Sequence, residues 1–147
     1  MSKGQSFFEV VVALAVIAVV LITLVALATV SIRNSTFSRN KTLATRFTQD
    51  ALEWLRAERG ESFSLFAGKA GGENNPMVWC VDTTPPDWPT TFGSCDANQS
   101  VGDTIFTREV KLTNIDASTV QAEVTSSWSD SQGVHQVTST TDLTKWQ

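Results

Sequence analysis

The sequence predicts an α+β fold, with one long N-terminal helix packed on a small antiparallel sheet. Three observations predict it. Val10 to Ile32 is a run of 23 residues without a charge, nearly all Val, Ala, Leu or Ile. A helical stripe of Ala44, Phe47, Ala51 and Leu55 follows it. From Ile105 onward the period changes to two, as in half-buried strands. At 147 residues the chain has room for one small domain beside such a helix.

Charge divides the same way. Overall, 41% hydrophobic and 18% charged residues describe an average soluble protein. Yet Arg33 to Arg59 carries six basic and three acidic residues, and Gly60 to Gln147 carries four basic and eleven acidic. A basic stem thus precedes an acidic head. An acidic head argues against a nucleic-acid binder held by counterion release, and no direct nucleic-acid binding is predicted.

The first element is a membrane-spanning helix. Twenty-three helical residues cover about 34 Å, against a hydrocarbon core of about 30 Å. No proline or glycine interrupts the run. Thr23 and Thr29 are tolerated because their hydroxyls can bond carbonyls of the preceding turn. A cleaved secretory signal would have a shorter apolar core, about 7–15 residues, and a small-residue cleavage site, which Arg33-Asn34-Ser35 does not supply. A plain single-pass anchor leaves the opening residues unexplained. Phe7, Phe8 and Glu9 stand at the mouth of the run. A carboxylate at the edge of a membrane helix is costly unless it finds a partner, which marks Glu9 as a functional residue.

The second element, 33–60, continues the helix as an amphipathic stem. Leu43, Leu52 and Trp54 widen its apolar stripe, and Arg39, Arg46, Gln49, Asp50, Glu53 and Arg56 mark the other side. Glu53 and Arg56, three apart, can pair. Gly60 reads as a C-cap. A helix from Ser6 to Arg59 would be about 81 Å long. A head of under 90 residues cannot bury it, so its N-terminal half must meet lipid or other subunits.

The head, 61–147, opens with turn signals up to Ser100. Ala67 to Gly72 lacks the ending of a phosphate-binding loop and reads as a flexible connection. Cys80 and Cys95 allow one intrachain disulfide across a Pro-rich loop. A free pair, or a metal shared with His135, is the alternative. Closing a loop of about 15 residues would contribute on the order of 3 kcal/mol, which matters where the core is small. A disulfide places the head outside the cytoplasm. Beyond it, Phe106, Arg108, Val110 and Leu112 alternate with Ile105, Thr107, Glu109 and Lys111. Val120, Ala122, Val124, Ser126 and Trp128 form a second alternating face, and Val134 to Leu143 a weaker strand. Turns fall at Asn114-Ile115-Asp116 and Ser129 to Gly133. A three- or four-stranded sheet would bury Phe106, Val110, Leu112, Val120 and Val124 against the stem. Trp54 and Trp128 are core candidates, and Trp88 is the candidate for an exposed contact. His135 reads as solvent-facing.

Lys3-Gly4-Gln5-Ser6-Phe7-Phe8-Glu9 with its apolar run resembles the N-terminal signature of type IV pilins and pseudopilins. The resemblance implies a 1–4 leader and a 5–32 membrane and assembly helix. It implies cleavage after Gly4 by a prepilin peptidase and methylation of the new N-terminus at Gln5, where the family usually carries phenylalanine or methionine. Glu9 becomes the fifth mature residue, the family's glutamate position. Its carboxylate would pair with the Gln5 amine of a neighbouring subunit and fix axial register, with Phe7 and Phe8 beside it in the assembly. Ala51-Leu52-Glu53-Trp54-Leu55-Arg56 and Trp128 to Gly133 resemble segments of minor pilins of the PilV type and of I-type minor pseudopilins.

The function this implies is a structural subunit, minor in rank, of a type IV pilus or a type II secretion pseudopilus. Implied partners are other pilin or pseudopilin subunits, the prepilin peptidase, an inner-membrane assembly platform, and the bilayer before assembly. The implied location is the bacterial inner membrane, with the head extracytoplasmic, and then the filament. By the positive-inside rule alone, Arg33, Arg39, Lys41 and Arg46 would hold the C-terminal side in the cytoplasm, the opposite orientation. The alternative function is a non-polymerising, single-pass anchored binding module outside the cytoplasm. No catalytic constellation, metal set or cofactor motif is apparent in the sequence, and no enzymatic activity is expected.

Overall fold

The computed structural model describes residues 3–146 except Ala97, with side chains from Phe7 onward. Helix α1 runs over Lys3–Glu61 and a short α2 over Phe63–Ala67. Strands β1 (Met77–Cys80), β2 (Phe106–Asp116), β3 (Thr119–Asp130) and β4 (Gly133–Thr144) follow, with a 3₁₀ turn at Val101–Asp103 between β1 and β2. The strands form one antiparallel sheet in the order β1-β2-β3-β4. This is the expected α+β, pilin-like architecture.

The chain divides into two compact units, Met1–Arg39 and Asn40–Gln147. The first is helix alone. Every described side chain from Phe7 to Arg39 is exposed. Thr23 Oγ1 donates to the Val20 carbonyl at 2.8 Å, and Thr29 Oγ1 to Val25 at 2.9 Å, so both hydroxyls are satisfied within the helix. Side chains such as Leu14, Ile22 and Leu27 are more than half exposed. Leaving so many apolar side chains in water would cost on the order of tens of kcal/mol, so lipid or protein must cover them.

In the second unit, the C-terminal part of α1 lies across one face of the sheet. Ala44, Thr48, Ala51, Leu52 and Leu55 are buried, at the three- and four-residue spacing of a single helix face. Ala51, Leu52 and Leu55 share a core with Val110 and Leu112 of β2, Val120, Ala122 and Val124 of β3, and Leu143 of β4. A satellite cluster joins Ala44 to Phe106 and Trp128, with Leu43, Phe47 and Val137 around it. A polar link also crosses this interface: Thr48 Oγ1 donates to the Ala44 carbonyl at 2.9 Å and lies 2.9 Å from the Ser126 hydroxyl on β3. The expected Glu53–Arg56 pair forms on the exposed side.

Four local expectations are corrected. Gly60 is not a C-cap: α1 continues through it to Glu61, and Ser62, in extended conformation, caps α2 through the Leu65 N–H. Ala67 to Gly72 is not a flexible connection. The Gly71 N–H donates to the Leu112 carbonyl at 3.1 Å, the Gly71 carbonyl accepts from the Asn114 N–H at 2.7 Å, and Asn114 Nδ2 donates to the Ala67 and Ala70 carbonyls. β2 runs through Asn114-Ile115-Asp116, with an irregularity of pairing there, and the reversal falls at Ala117 and Ser118. Finally, the region read as turns contains α2 and β1. β1 is only four residues long, too short to show a period.

Candidate functional site

The N-terminal candidates lie along α1. The backbone of Gly4 and Gln5 is helical, but the Gln5 side chain, with the leader residues Met1 and Ser2, lies outside the described residues. Phe7 and Phe8 are 74% and 71% exposed, and Glu9 is exposed one residue before the uncharged run. Among the described residues, α1 is the one helix long and apolar enough to cross a membrane. The sequence folds this way because β-branched and leucine side chains without a glycine or proline leave the backbone no cheaper option in lipid than its own helical hydrogen bonds.

The cysteine loop forms the second candidate. Cys80 and Cys95 are joined as a disulfide, with Cα atoms 4.8 Å apart. β1 presents Cys80, and the returning loop is held by two further bonds. The Gly93 N–H donates to the Val78 carbonyl at 2.7 Å, and the Cys95 N–H to Glu109 Oε1 at 2.8 Å. The loop therefore covers the β1 edge of the sheet, which would otherwise present open backbone groups.

Trp88, expected as an exposed contact, is instead half-buried in an aromatic group. Its ring lies 4.6 Å from Trp54, 5.4 Å from Trp79 and 6.5 Å from Phe66, centroid to centroid. Its indole N–H donates to Glu58, and Lys69 Nζ stands 4.7 Å from its ring centroid. Tryptophan in a Pro-rich loop gave no sign of this, because all five partners lie outside that loop. Trp128 is buried as expected, and Trp54 is half-buried against the core.

Arg108 carries the most consequential polar geometry of the head and was not singled out from the sequence. It is 1% exposed. Its Nε donates to the Val81 carbonyl at 3.1 Å, Nη2 to Thr83 at 2.7 Å and Nη1 to Phe47 at 3.4 Å. One side chain thus ties β2 to the chain leaving β1 and to α1. Burial lowers its pKa from the ordinary arginine value, and the charges of Asp50 and Asp82 oppose that shift. The sequence signal was present: the alternation of β2 places Arg108 on the same face as Phe106 and Val110.

His135 is half-buried rather than solvent-facing. Its Nε2 lies 3.0 Å from Asp130 Oδ1, and its ring stacks 5.2 Å from Trp128. Asp130 is held below the ordinary carboxylate range, first by the Gln132 N–H and then by His135. Stabilisation from this carboxylate is therefore present above its unfolded pKa and is lost as pH falls through the lower folded value. In acid titrations followed by tryptophan fluorescence, Asp130→Asn is expected to reduce stability near neutrality and to converge with the parent at low pH. Equal losses at every pH would contradict this.

Among the described residues no group of three or more His, Cys, Asp or Glu side chains is placed to hold a metal. What fold and site define is a membrane-anchoring helix joined to a small, disulfide-closed β domain. No protein-family model, curated protein or solved structure matches the chain.

Proposed function

We propose that the chain is a structural subunit, a minor one, of a type IV pilus or type II secretion pseudopilus, cleaved after Gly4 and assembled through its N-terminal helix. The observation that carries this reading is the pairing of two features in one helix. α1 leaves a charge-free apolar surface fully uncovered from Val10 to Ile32, yet carries Glu9 at its edge. A helix meant only for lipid has no use for that carboxylate. A helix packed among copies of itself has one, because a buried carboxylate admits only the offset at which an amine meets it. Cleavage after Gly4 would supply that amine at Gln5, four residues before Glu9.

In this reading the subunit waits in the inner membrane with its head outside the cytoplasm. An assembly platform then moves it into the filament, where other subunits replace lipid around α1. The disulfide, the polar α1–sheet link and Arg108 keep the head folded during that transfer. The head needs no catalytic group for this role.

Mass spectrometry of the mature chain tests the processing. A start at N-methylated Gln5 is expected. Retention of Met1 to Gly4 would overturn the reading and leave an anchored module that does not polymerise. Glu9→Ala is expected to be cleaved normally yet to lower incorporation into filaments by about tenfold or more, since a neighbour's amine would be buried unpaired. Normal incorporation of Glu9→Ala would remove the assigned role.

A further inference from the structure

The end of the span carries positive charge that no described residue of its unit compensates. No acidic residue occurs between Glu9 and Asp50, yet Arg33 and Arg39 fall within that interval and belong to the same unit as the apolar run. Both are exposed, and neither has a carboxylate within ion-pair distance among the described residues. Arg46 differs, because it stands 4.0 Å from Asp50.

Helix geometry fixes where the two arginines reach. Arg33 is the first residue past the apolar run, and Arg39 lies about 10 Å past Ile32 along the axis. The polar layer of a bilayer leaflet is about 5–7 Å thick. In an α-helix the Cα–Cβ bonds tilt toward the N-terminus, so residues that follow a span lean back toward the membrane. Long basic side chains extend that reach by laying their stems along the helix. Arg33 therefore ends within the headgroup layer and Arg39 at its surface. Six residues apart, they project about 120° from one another around the helix, so they address different lipids. The residues between them, Asn34, Ser35, Thr36 and Ser38, are uncharged and polar, with Phe37 as the single apolar ring.

We propose that Arg33 and Arg39 form a binding surface for the phosphate headgroups of anionic phospholipids at the end of the membrane span. Charge complementarity and continuity with the span identify the occupant. Guanidinium groups pair with phosphate oxygens through two parallel N–H donors, which neutral zwitterionic surfaces reward less. This surface depends on the span alone and is independent of assembly into a filament. Headgroups held there would oppose withdrawal of the helix from the bilayer.

The test uses the full chain in nanodiscs of equal phosphatidylcholine and phosphatidylglycerol. Lipids retained by the protein are identified by native mass spectrometry. Phosphatidylglycerol is expected to be enriched, by about fivefold per arginine at low salt. The enrichment should fall away toward 0.5 M salt, where the Debye length shrinks to a few Å. The double substitution Arg33→Gln with Arg39→Gln should abolish it, and Arg33→Lys with Arg39→Lys should retain most of it. Arg46→Gln with Arg56→Gln, which removes the same charge from farther along the stem, should leave it unchanged. Absence of enrichment in the parent, or equal enrichment in the double glutamine variant, would overturn the proposal. Neither result bears on the filament reading, which the mature N-terminus decides separately.

Discussion

Replacing Arg108 with leucine is expected to destabilise the head by about 3 kcal/mol, a drop in melting temperature of more than about 10 °C. Two effects compete. Burial of a guanidinium is unfavourable, as its lowered pKa shows, and an apolar side chain would escape that cost. Against this, leucine leaves the Val81, Thr83 and Phe47 carbonyls facing an apolar group. The first two bonds, at 3.1 and 2.7 Å, are well formed, and the third, at 3.4 Å, is weak. A buried acceptor deprived of its donor costs about 1–3 kcal/mol. That loss at the buried Val81, smaller losses at Thr83 and Phe47, which are less buried, and the volume left by a shorter side chain together outweigh the relief of desolvation. Lysine keeps the charge but not the fork of donors, so Arg108→Lys should fall between parent and leucine variant. Thermal melts of the full chain in detergent, followed by near-ultraviolet circular dichroism of its tryptophans, would read this. A leucine variant as stable as the parent would show that packing around the aliphatic stem, rather than the three bonds, is what Arg108 contributes.

Arg108 also shows where sequence reading stops. Its face was legible, because alternation along β2 is strict, and Phe106, Val110 and Leu112 of that face are all buried. Its partners were not, because Phe47 on α1, and Val81 and Thr83 after β1, lie on two stretches of chain that no local period connects to β2. The same division runs through the fold. α1, β2, β3 and β4 are long enough to display a period of 3.6 or 2, and all four were read from it. β1 and α2 have four and five residues, less than any period needs, and they went unseen. Trp88 and His135 were placed on the surface because their chain neighbours are polar or turn-forming. Their packing partners arrive only through tertiary contact. At the N-terminus the position is reversed. The Gly4–Glu9 spacing is visible in sequence and invisible in an isolated subunit, since its proposed partners are a peptidase and neighbouring chains.

The second large effect is expected from a single methyl group. Gly71→Ala should cost about 2–4 kcal/mol, although alanine is ordinarily the smallest of substitutions. A Cβ at Gly71 would overlap the Asn75 carbonyl oxygen and come within 2.7 Å of the Met77 N and 2.8 Å of the Pro76 carbonyl carbon. All three are backbone atoms of the turn that leads into β1, so no side chain can rotate away. The turn can yield only by moving Asn75 to Met77, or by breaking the bonds that tie Gly71 to Leu112 and Asn114 on β2. Both routes disturb β1, since Met77 opposes Leu112 and Cys80 opposes Glu109 in the register. Cys80 would then lose its position facing Cys95. The variant should therefore show two linked defects: a lower melting temperature and, after oxidative refolding, more chains with alkylatable thiols. Gly72→Ala is the control. A Cβ there meets nothing within 4 Å, so its effect should stay within about 0.5 kcal/mol of zero. If Gly71→Ala melted and oxidised like Gly72→Ala, the close approach of backbone at Gly71 could not be what sets the register of β1.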